Sequence, residues 1–395
     1  MTGLLTAVRT DVTRERRAVS GVFLLVGLQL GSWFARVPQL RVVLGLDYAQ
    51  LGAVLVCQTV GVLAAMQVAG RLSGRTAIRV TALVVPWFPL LVASTRGPVP
   101  AGAGMRAWGL VAGLLDVSMN AQGVELERVS GRPVLSGLHA MWGIGALLGS
   151  LSTVLAESAG LSLTVQFAIL APALSVFGYV SSRDLVASRS RDSSDPDSPP
   201  TVPRHAGLLS GWTKAVLLLG LLGAAAALCE GAASSWSGVF LREQRGAAAG
   251  VASLGYFAFV VAQTGTRFAA DRLTGRFGPV PMVRWSMAVT VAGVLVAVAV
   301  HDPWIGVAGF ALQGCGHAAP IPTIASAVGR SSPSDAGLAI ARYSTLYYAG
   351  VLAGPAIFGS MAQSFGIGTA FLLLTVPLGI IAASAGLLGA GRAGE

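Results

Sequence analysis

Twelve apolar segments, each long enough to cross a lipid bilayer as a helix, are distributed between residues 18 and 390. Lipid leaves no water to satisfy backbone N–H and C=O groups, so helices are the natural spanning structure for runs of about 20 apolar residues. Hydrophobic residues make up 54% of the chain and charged residues 11%, with a mean hydropathy of +0.70, which excludes an ordinary soluble domain. The sequence predicts an all-α membrane protein whose spans cover 18–42, 48–71, 77–95, 103–126, 134–157, 161–182, 214–241, 248–270, 279–300, 304–328, 336–361 and 366–390.

The basic residues favour one side of the membrane. The net charge is +10, but the Lys and Arg residues concentrate in the loops and tails that share a side with the N-terminus. This bias follows the positive-inside rule and predicts a multi-pass protein of the cytoplasmic membrane with both termini in the cytoplasm. It explains the charge without a nucleic-acid partner and makes membrane lipids the expected neighbours. Residues 1–17 lack the apolar core of a cleavable signal peptide.

The two halves of the chain resemble each other at a spacing of about 200 residues. We interpret 1–183 and 213–395 as pseudo-symmetric six-helix halves, joined by a Ser- and Pro-rich disordered cytoplasmic linker at 184–212. A parallel six-plus-six repeat with a site near the membrane midplane is a transporter architecture. The matching pairs are Ser32-Trp33 with Ser235-Trp236, Leu51-Gly52 with Leu254-Gly255, Arg71–Arg75 with Arg272–Arg276, and Ser136–Leu138 with Ala336–Leu338.

Two acids, Asp116 and Glu230, lie well inside predicted spans. A carboxyl away from water can bind and release a proton as a cavity opens to either side, so we predict that both couple transport to protons. The alternative is a protonated acid that only bonds a neighbouring helix. The repeat places His317 opposite Asp116, in the tenth span.

Further polar and aromatic residues within the spans predict a substrate cavity. Histidine titrates near neutral pH and can relay protons or bond a hydroxyl, and stacked aromatic rings can bind a sugar or an aromatic ligand. For each residue, a helix-helix hydrogen bond or simple packing is the alternative. The predicted cavity residues are Gln29, Asn120, Trp236, Gln313, His317, Arg342, Tyr343 and Tyr347. For Arg36 we expect snorkelling to the outer surface, and for His139 a structural bond near Gln122 or Glu125.

The sequence contains no signature of an enzyme or a cofactor site. Its single lysine, Lys214, lies between Thr213 and Ala215, so a Walker A loop is excluded. We find no catalytic triad and no metal-ligand spacing, and predict no cofactor; the three scattered cysteines read as packing residues.

Loop and span motifs resemble those of the major facilitator superfamily. Gly70, Leu72, Arg75 and Arg79 match its loop signature between spans two and three, and a second copy contains Arg267, Asp271, Arg272 and Arg276. The segments 32–38, 116–128, 137–149, 229–236 and 314–322 resemble a poorly characterised bacterial inner-membrane branch, more distantly similar to the fucose permease group. The resemblance implies gating roles for Gly70, Arg71, Arg75, Arg79, Arg267, Asp271, Arg272 and Arg276.

These observations together predict a secondary active transporter, monomeric in its membrane, that moves a small organic solute by alternating access. Proton coupling and a sugar-like substrate are favoured. Two alternatives stay open: proton-driven efflux of a drug or metabolite, and a sensor or scaffold that binds without transport.

Overall fold

The computed structural model describes residues 2–72, 74–130, 134–185, 211–332 and 336–389, and all regular elements in these ranges are helices. The chain divides into two compact units, Met1–Ser190 and Arg191–Glu395. Most of the predicted linker, 186–210, lies outside the described residues. The all-α fold is confirmed.

The first unit contains eight α-helices and one short 3-10 segment, Val85–Trp87, within its described residues. The helices are α1 (Thr2–Ala35), α2 (Val37–Leu44), α3 (Tyr48–Leu72), α4 (Arg75–Val84), α5 (Phe88–Ala93), α6 (Pro98–Ser130), α7 (Leu135–Ser158) and α8 (Leu163–Ser182).

The second unit also contains eight described α-helices, followed by a 3-10 segment, Ser384–Leu388. The helices are α9 (Lys214–Gln244), α10 (Ala249–Phe277), α11 (Pro279–Ala299), α12 (Pro303–His317), α13 (Pro320–Ser331), α14 (Ala336–Phe365), α15 (Ile367–Leu373) and α16 (Thr375–Ala383).

Within the described residues, eight helical stretches are long and apolar enough to cross a membrane. They coincide with the predicted spans one, two, three, five, six, seven, nine and twelve. Helices also occupy the positions of the other four spans, and the tenth is divided between α12 and α13, of 15 and 12 residues. A multi-pass helical membrane protein is therefore confirmed, and the count of twelve spans stays a prediction.

Four spans that we expected to be continuous are interrupted. The first breaks at Arg36, between α1 and α2, and the third passes through the 3-10 segment Val85–Trp87. The tenth breaks after His317, and the twelfth at Leu374. A proline lies at or just beyond each break, at Pro38, Pro86, Pro320 and Pro377. Because proline has no N–H and its ring clashes with the preceding turn, the regular hydrogen-bond ladder cannot continue there.

Glycines bring particular helix pairs into backbone contact. A Cβ atom on Gly149 of α7 would overlap the carbonyl oxygen of Leu28 in α1, and one on Gly350 of α14 would overlap that of Ala224 in α9. The pair α3 and α6 meets at Gly109, and the pair α10 and α12 at Gly314. Spans one and five thus pack as spans seven and eleven do, and spans two and four as spans eight and ten do.

Candidate functional site

Asp116 lies on α6 and bonds within its own helix. The amide Nδ2 of Asn120, one turn later, donates to Asp116 Oδ1 at 3.3 Å and to the Asp116 backbone oxygen at 2.9 Å. No described residue forms an ion pair with Asp116, although His139 is near enough to interact with it electrostatically. The carboxyl therefore has a neutral amide as its direct partner.

Backbone contact with α3 fixes the position of this part of α6. A Cβ on Gly113, one turn before Asp116, would lie 2.9 Å from the Cβ of Ala65 and from the Cα of Val62. Together with the contact at Gly109, this close approach leaves α6 little freedom to rotate or slide against α3. Asp116 consequently sits on a rigid helix pair.

Glu230 of α9 meets two side chains of α10. Gln263 Nε2 donates to Glu230 Oε1 at 2.9 Å, and an Arg267 guanidinium nitrogen lies 3.8 Å from the same oxygen. Gln263 and Arg267 are four residues apart, so they share one helix face. The side chains of Glu230 and Arg267 are 23% and 44% exposed. Glu230, unlike Asp116, has a cation within ion-pair distance.

Gln313 and His317 lie one turn apart at the end of α12 and are 1% and 2% exposed. His317 Nδ1 is 2.9 Å from the Gln313 carbonyl oxygen. A carbonyl can only accept, so Nδ1 carries the proton, and in a neutral imidazole Nε2 is then an acceptor. The contact between Gly314 and the Phe259 backbone holds α12 against α10. The imidazole is thus oriented at the break where α12 ends.

Tyr343 and Tyr347 of α14 stack, with ring centroids 6.1 Å apart and planes 26° from parallel. Tyr343 lies across Gly223 of α9, where a Cβ would be 2.6 Å from the ring. Glycine at this position is what leaves room for the tyrosine. Tyr347 is near enough to Glu230 and Arg267 for both charges to act on its hydroxyl.

Several polar atoms of this second unit are buried and have no hydrogen-bond partner in the described part of the chain. Four of them are Glu230 Oε2, Gln313 Nε2, His317 Nε2 and the Tyr343 hydroxyl. A buried polar atom without a partner costs about 1–3 kcal/mol, and most such atoms in folded proteins are satisfied. These atoms comprise two acceptors, one donor and one hydroxyl that can do both. A bound polar molecule that reached these atoms could donate hydrogen bonds to the two acceptors and accept one from the amide.

Three other predicted cavity residues contact protein groups in the structure. Gln29 Nε2 donates to the Val85 carbonyl at 2.6 Å. In a regular α-helix the N–H of residue 89 would bond this carbonyl, but residue 89 is proline and has no N–H. Trp236 is fully buried, with its ring 5.1 Å from that of Phe358. The Arg342 guanidinium lies over the Trp212 ring, 5.6 Å from its centroid.

The predicted gating residues are spread over both units. Arg79 donates to the Ser182 and Arg183 carbonyls at 3.1 and 2.7 Å and so caps the end of α8. Arg276 lies over Phe277, 5.3 Å from the ring centroid, and Arg75, Arg272 and Arg276 are all exposed. Arg267 contacts Glu230. For Gly70, Arg71 and Asp271 the structure describes only the backbone, which is helical.

The sequence analysis missed a buried network around Arg36, and its snorkelling prediction is wrong. The Arg36 side chain is fully buried and donates to Glu157 Oε1 at 3.1 Å, Gln166 Oε1 at 2.5 Å and the Leu161 carbonyl at 2.9 Å. It also bonds Gln39. The one sequence signal was an arginine just before a proline-induced break. Its partners could not be found from spacing.

The predicted bond of His139 near Gln122 or Glu125 is also wrong. Gln122 donates to Glu15 Oε1 at 2.5 Å, and Glu125 pairs with Arg128 at 2.8 Å. The His139 ring instead makes an edge contact with Phe23, at 5.2 Å between centroids. Glu15 escaped the sequence analysis because it precedes the apolar part of α1.

Comparisons with known proteins place the chain in one family. Residues 219–392 match the model of the Major Facilitator Superfamily. The chain is 30% identical over 370 residues to an uncharacterized MFS-type transporter of Yersinia pestis, covering 92% of this chain and 93% of the relative. It is 31% identical over 379 residues to an uncharacterized transporter of Sinorhizobium fredii, covering 94% and 97%.

Solved structures of the same fold cover almost the whole chain. The nucleoside transporter NupG superposes with a TM-score of 0.75 at 13% identity, over 94% of this chain and 98% of that one. A D-xylose-proton symporter superposes with a TM-score of 0.73 at 14% identity, over 95% and 97%. At such identities the likeness shows the fold alone.

Proposed function

The chain belongs to the major facilitator superfamily, and from that membership we propose that it is a proton-coupled secondary transporter of a neutral, polyhydroxylated, sugar-like solute. It is a multi-pass transporter of the inner membrane rather than an enzyme. Alternating access, driven by the proton gradient, is the mechanism we propose for it.

The observation that carries this proposal is the set of buried, unpartnered atoms on Glu230, Gln313, His317 and Tyr343. A sugar hydroxyl both donates and accepts, so adjacent hydroxyls can donate to the glutamate and histidine acceptors and accept from the glutamine amide. The stacked pair Tyr343 and Tyr347 offers an aromatic face to the apolar side of a sugar ring. Few other solute classes present donors, acceptors and an apolar ring face together.

Charge favours a neutral solute over an ionic one. Glu230 is paired with Arg267 at 3.8 Å, so the two side chains carry no net charge together. A pair without net charge gives neither a cationic nor an anionic solute a net attraction to offset the loss of its water. Two proteins of the same fold are named for a nucleoside and for D-xylose with a proton. Both solutes contain hydroxylated sugar rings, which supports the proposed class by analogy.

Asp116 and Glu230 are the proposed proton carriers, in unequal roles. Protonation of Glu230 would break its ion pair with Arg267, whereas protonation of Asp116 breaks none that the described residues show. We therefore assign the transported proton mainly to Asp116. At Glu230, protonation would release Arg267 and change the charge beside the solute, which couples the two events.

Uptake into proteoliposomes tests the proposal. Purified protein is reconstituted, an inward proton gradient is imposed, and accumulation of a panel of radiolabelled neutral sugars and polyols is measured. We expect one or more of them to accumulate, with alkalinisation of the outer medium. Asp116→Asn should reduce accumulation to the level without a gradient, because the amide cannot carry a proton, while counterflow exchange of the solute persists.

The control is Asp47→Asn, since Asp47 is an acid outside the predicted spans whose Oδ1 accepts from the Gln50 N–H at 2.7 Å, a bond that asparagine also makes. This variant should accumulate solute as the unchanged protein does. Full gradient-driven accumulation by Asp116→Asn would refute its proton-carrying role. Binding without flux would favour the sensor alternative, and transport only of drug-like compounds in the outward direction would favour efflux.

A further inference from the structure

A cavity of about 300 Å³ lies at one end of the second unit, beside the first turn of α9. Apolar side chains form most of its wall, among them Leu218, Leu219 and Leu387, and Ala215 forms part of its rim. Arg330 and Ser331, at the end of α13, supply the polar side of the cavity. The space therefore has an apolar wall and one cationic group.

A second cavity, of about 140 Å³, shares Arg330 with the first. Its wall includes the hydroxyl-bearing residues Thr274, Thr323 and Ser326. Arg330 thus stands between a larger, mainly apolar space and a smaller, more polar one. This arrangement suits a molecule with an anionic group at the junction, hydroxyl or ester oxygens on one side and a hydrocarbon chain on the other.

Arg330 is exposed and makes no hydrogen bond or ion pair with the described residues. A guanidinium presents several N–H donors in one plane, which match two oxygens of a phosphate group. By the predicted topology, both cavities open at the cytoplasmic ends of their helices, where the inner leaflet carries anionic lipids. Leu217 and Leu221, on the same helix as Leu218 and Leu219, are exposed at 44% and 51%.

We propose that these two cavities form a binding site for an anionic phospholipid of the inner leaflet. Its phosphate binds Arg330, its headgroup oxygens meet the threonine and serine hydroxyls, and one acyl chain lies against Leu218, Leu219 and Leu387. The site is separate from the residues of the proposed solute site, so lipid binding does not depend on the proposed transport function.

Native mass spectrometry of the purified protein tests this site. The protein in detergent is titrated with phosphatidylglycerol or with phosphatidylcholine, and the lipid-bound fractions give affinities. We expect phosphatidylglycerol to bind more tightly. Arg330→Gln should weaken phosphatidylglycerol binding at least about fivefold, the contribution typical of one basic residue near an anionic membrane surface. Arg330→Lys should retain most of the affinity because it keeps the charge.

Two further variants separate a lipid site from a bare anion site. Ala215→Trp, at the exposed rim, fills the larger cavity without removing Arg330 and should also weaken phosphatidylglycerol binding. Arg183→Gln removes an exposed arginine of the first unit and should leave it unchanged. Both can be measured even if Arg330→Gln fails to fold.

Three results would overturn the proposal. They are equal affinities for the two lipids, wild-type binding by both Arg330→Gln and Ala215→Trp, and complete displacement of phosphatidylglycerol by millimolar inorganic phosphate with no effect of Ala215→Trp. The last result would identify a phosphate site. None of them bears on solute uptake, which is measured separately.

Discussion

At the scale of single residues, Arg36 of the first unit is a charged side chain that is fully buried. Its side chain is 0% exposed and its partner Glu157 is 3% exposed, so both charges have lost their water. Gln39, Gln166 and the Leu161 carbonyl complete the hydrogen bonding of the guanidinium. A buried pair of this kind offsets the cost of desolvation only while both partners are present. The network therefore ties the junction of α1 and α2 to α7 and α8.

Arg36→Ala should destabilise the protein by about 3–5 kcal/mol, because it leaves Glu157 buried without a cation. Thermal unfolding of the purified protein in detergent, followed by intrinsic tryptophan fluorescence, measures the loss. The double variant Arg36→Met, Glu157→Leu should recover part of it, since no unpaired charge remains.

Arg96→Ala, at an exposed position with no partner among the described residues, is the matched control and should change stability by less than about 0.5 kcal/mol. If Arg36→Ala unfolds at the same temperature as Arg96→Ala, the buried pair contributes nothing to the fold.

Sequence reasoning found the isolated polar residues of the spans but not their partners. Asp116, Glu230 and His317 stand out because each interrupts an apolar run, and Asn120 follows from helical spacing. Gln263 and Arg267 approach Glu230 from another helix, and Glu157 lies 121 residues from Arg36. Such pairings depend on how helices pack, which no local spacing encodes.

At the scale of helices, close packing through glycine determines which pairs behave as rigid units. The pair α1 and α7 is in contact through Gly27, Gly31, Gly145 and Gly149, each of which approaches the backbone of the other helix. Small residues permit such approach in membranes, where burial of apolar surface offers little attraction between helices. Any Cβ at these positions forces the helices apart.

Gly149→Ala should lower the free energy of unfolding by about 1–3 kcal/mol, the usual cost of overpacking. The same thermal unfolding measurement applies. Gly379→Ala in α16 is the control, because a Cβ there meets no atom within 4 Å and alanine is the better helix former. That variant should be neutral or slightly stabilised. A Gly149→Ala protein as stable as Gly379→Ala would show that the α1 and α7 contact tolerates separation.

Helix positions were predictable from apolar runs, whereas their interruptions were not fully predicted. The prolines at 38, 86, 320 and 377 were visible in the sequence, but proline occurs inside membrane helices without breaking them when neighbours satisfy the freed carbonyls. Pro172 and Pro355 do lie inside continuous helices here. The outcome depends on the surrounding helices. His317 is the last residue of α12, and the break that follows it lies near the middle of the predicted tenth span.

At the scale of the whole molecule, the predicted repeat and the charge bias together define a topology. The same helix pairs pack through glycine in both units, as expected of a duplicated six-helix half. The distribution of Lys and Arg orients these halves, because translocation of basic loops is disfavoured. The helices themselves do not contain that information, so orientation is the part of the prediction that only a sidedness experiment tests.

Thr76 and Ser94 lie at opposite ends of one predicted span, within α4 and just after α5, and both are exposed. Single cysteines are introduced at each position in a protein whose Cys57, Cys229 and Cys315 are replaced by serine. In spheroplasts, which lack the outer membrane but keep a sealed inner membrane, a membrane-impermeant maleimide should label Ser94→Cys. Thr76→Cys should react only after the membrane is permeabilised, because the basic loop at Arg71 and Arg75 is expected in the cytoplasm.

The reverse pattern would invert the topology and place the Arg330 cavities at the outer leaflet. Equal labelling of both in sealed cells would mean that this helical stretch does not cross the membrane.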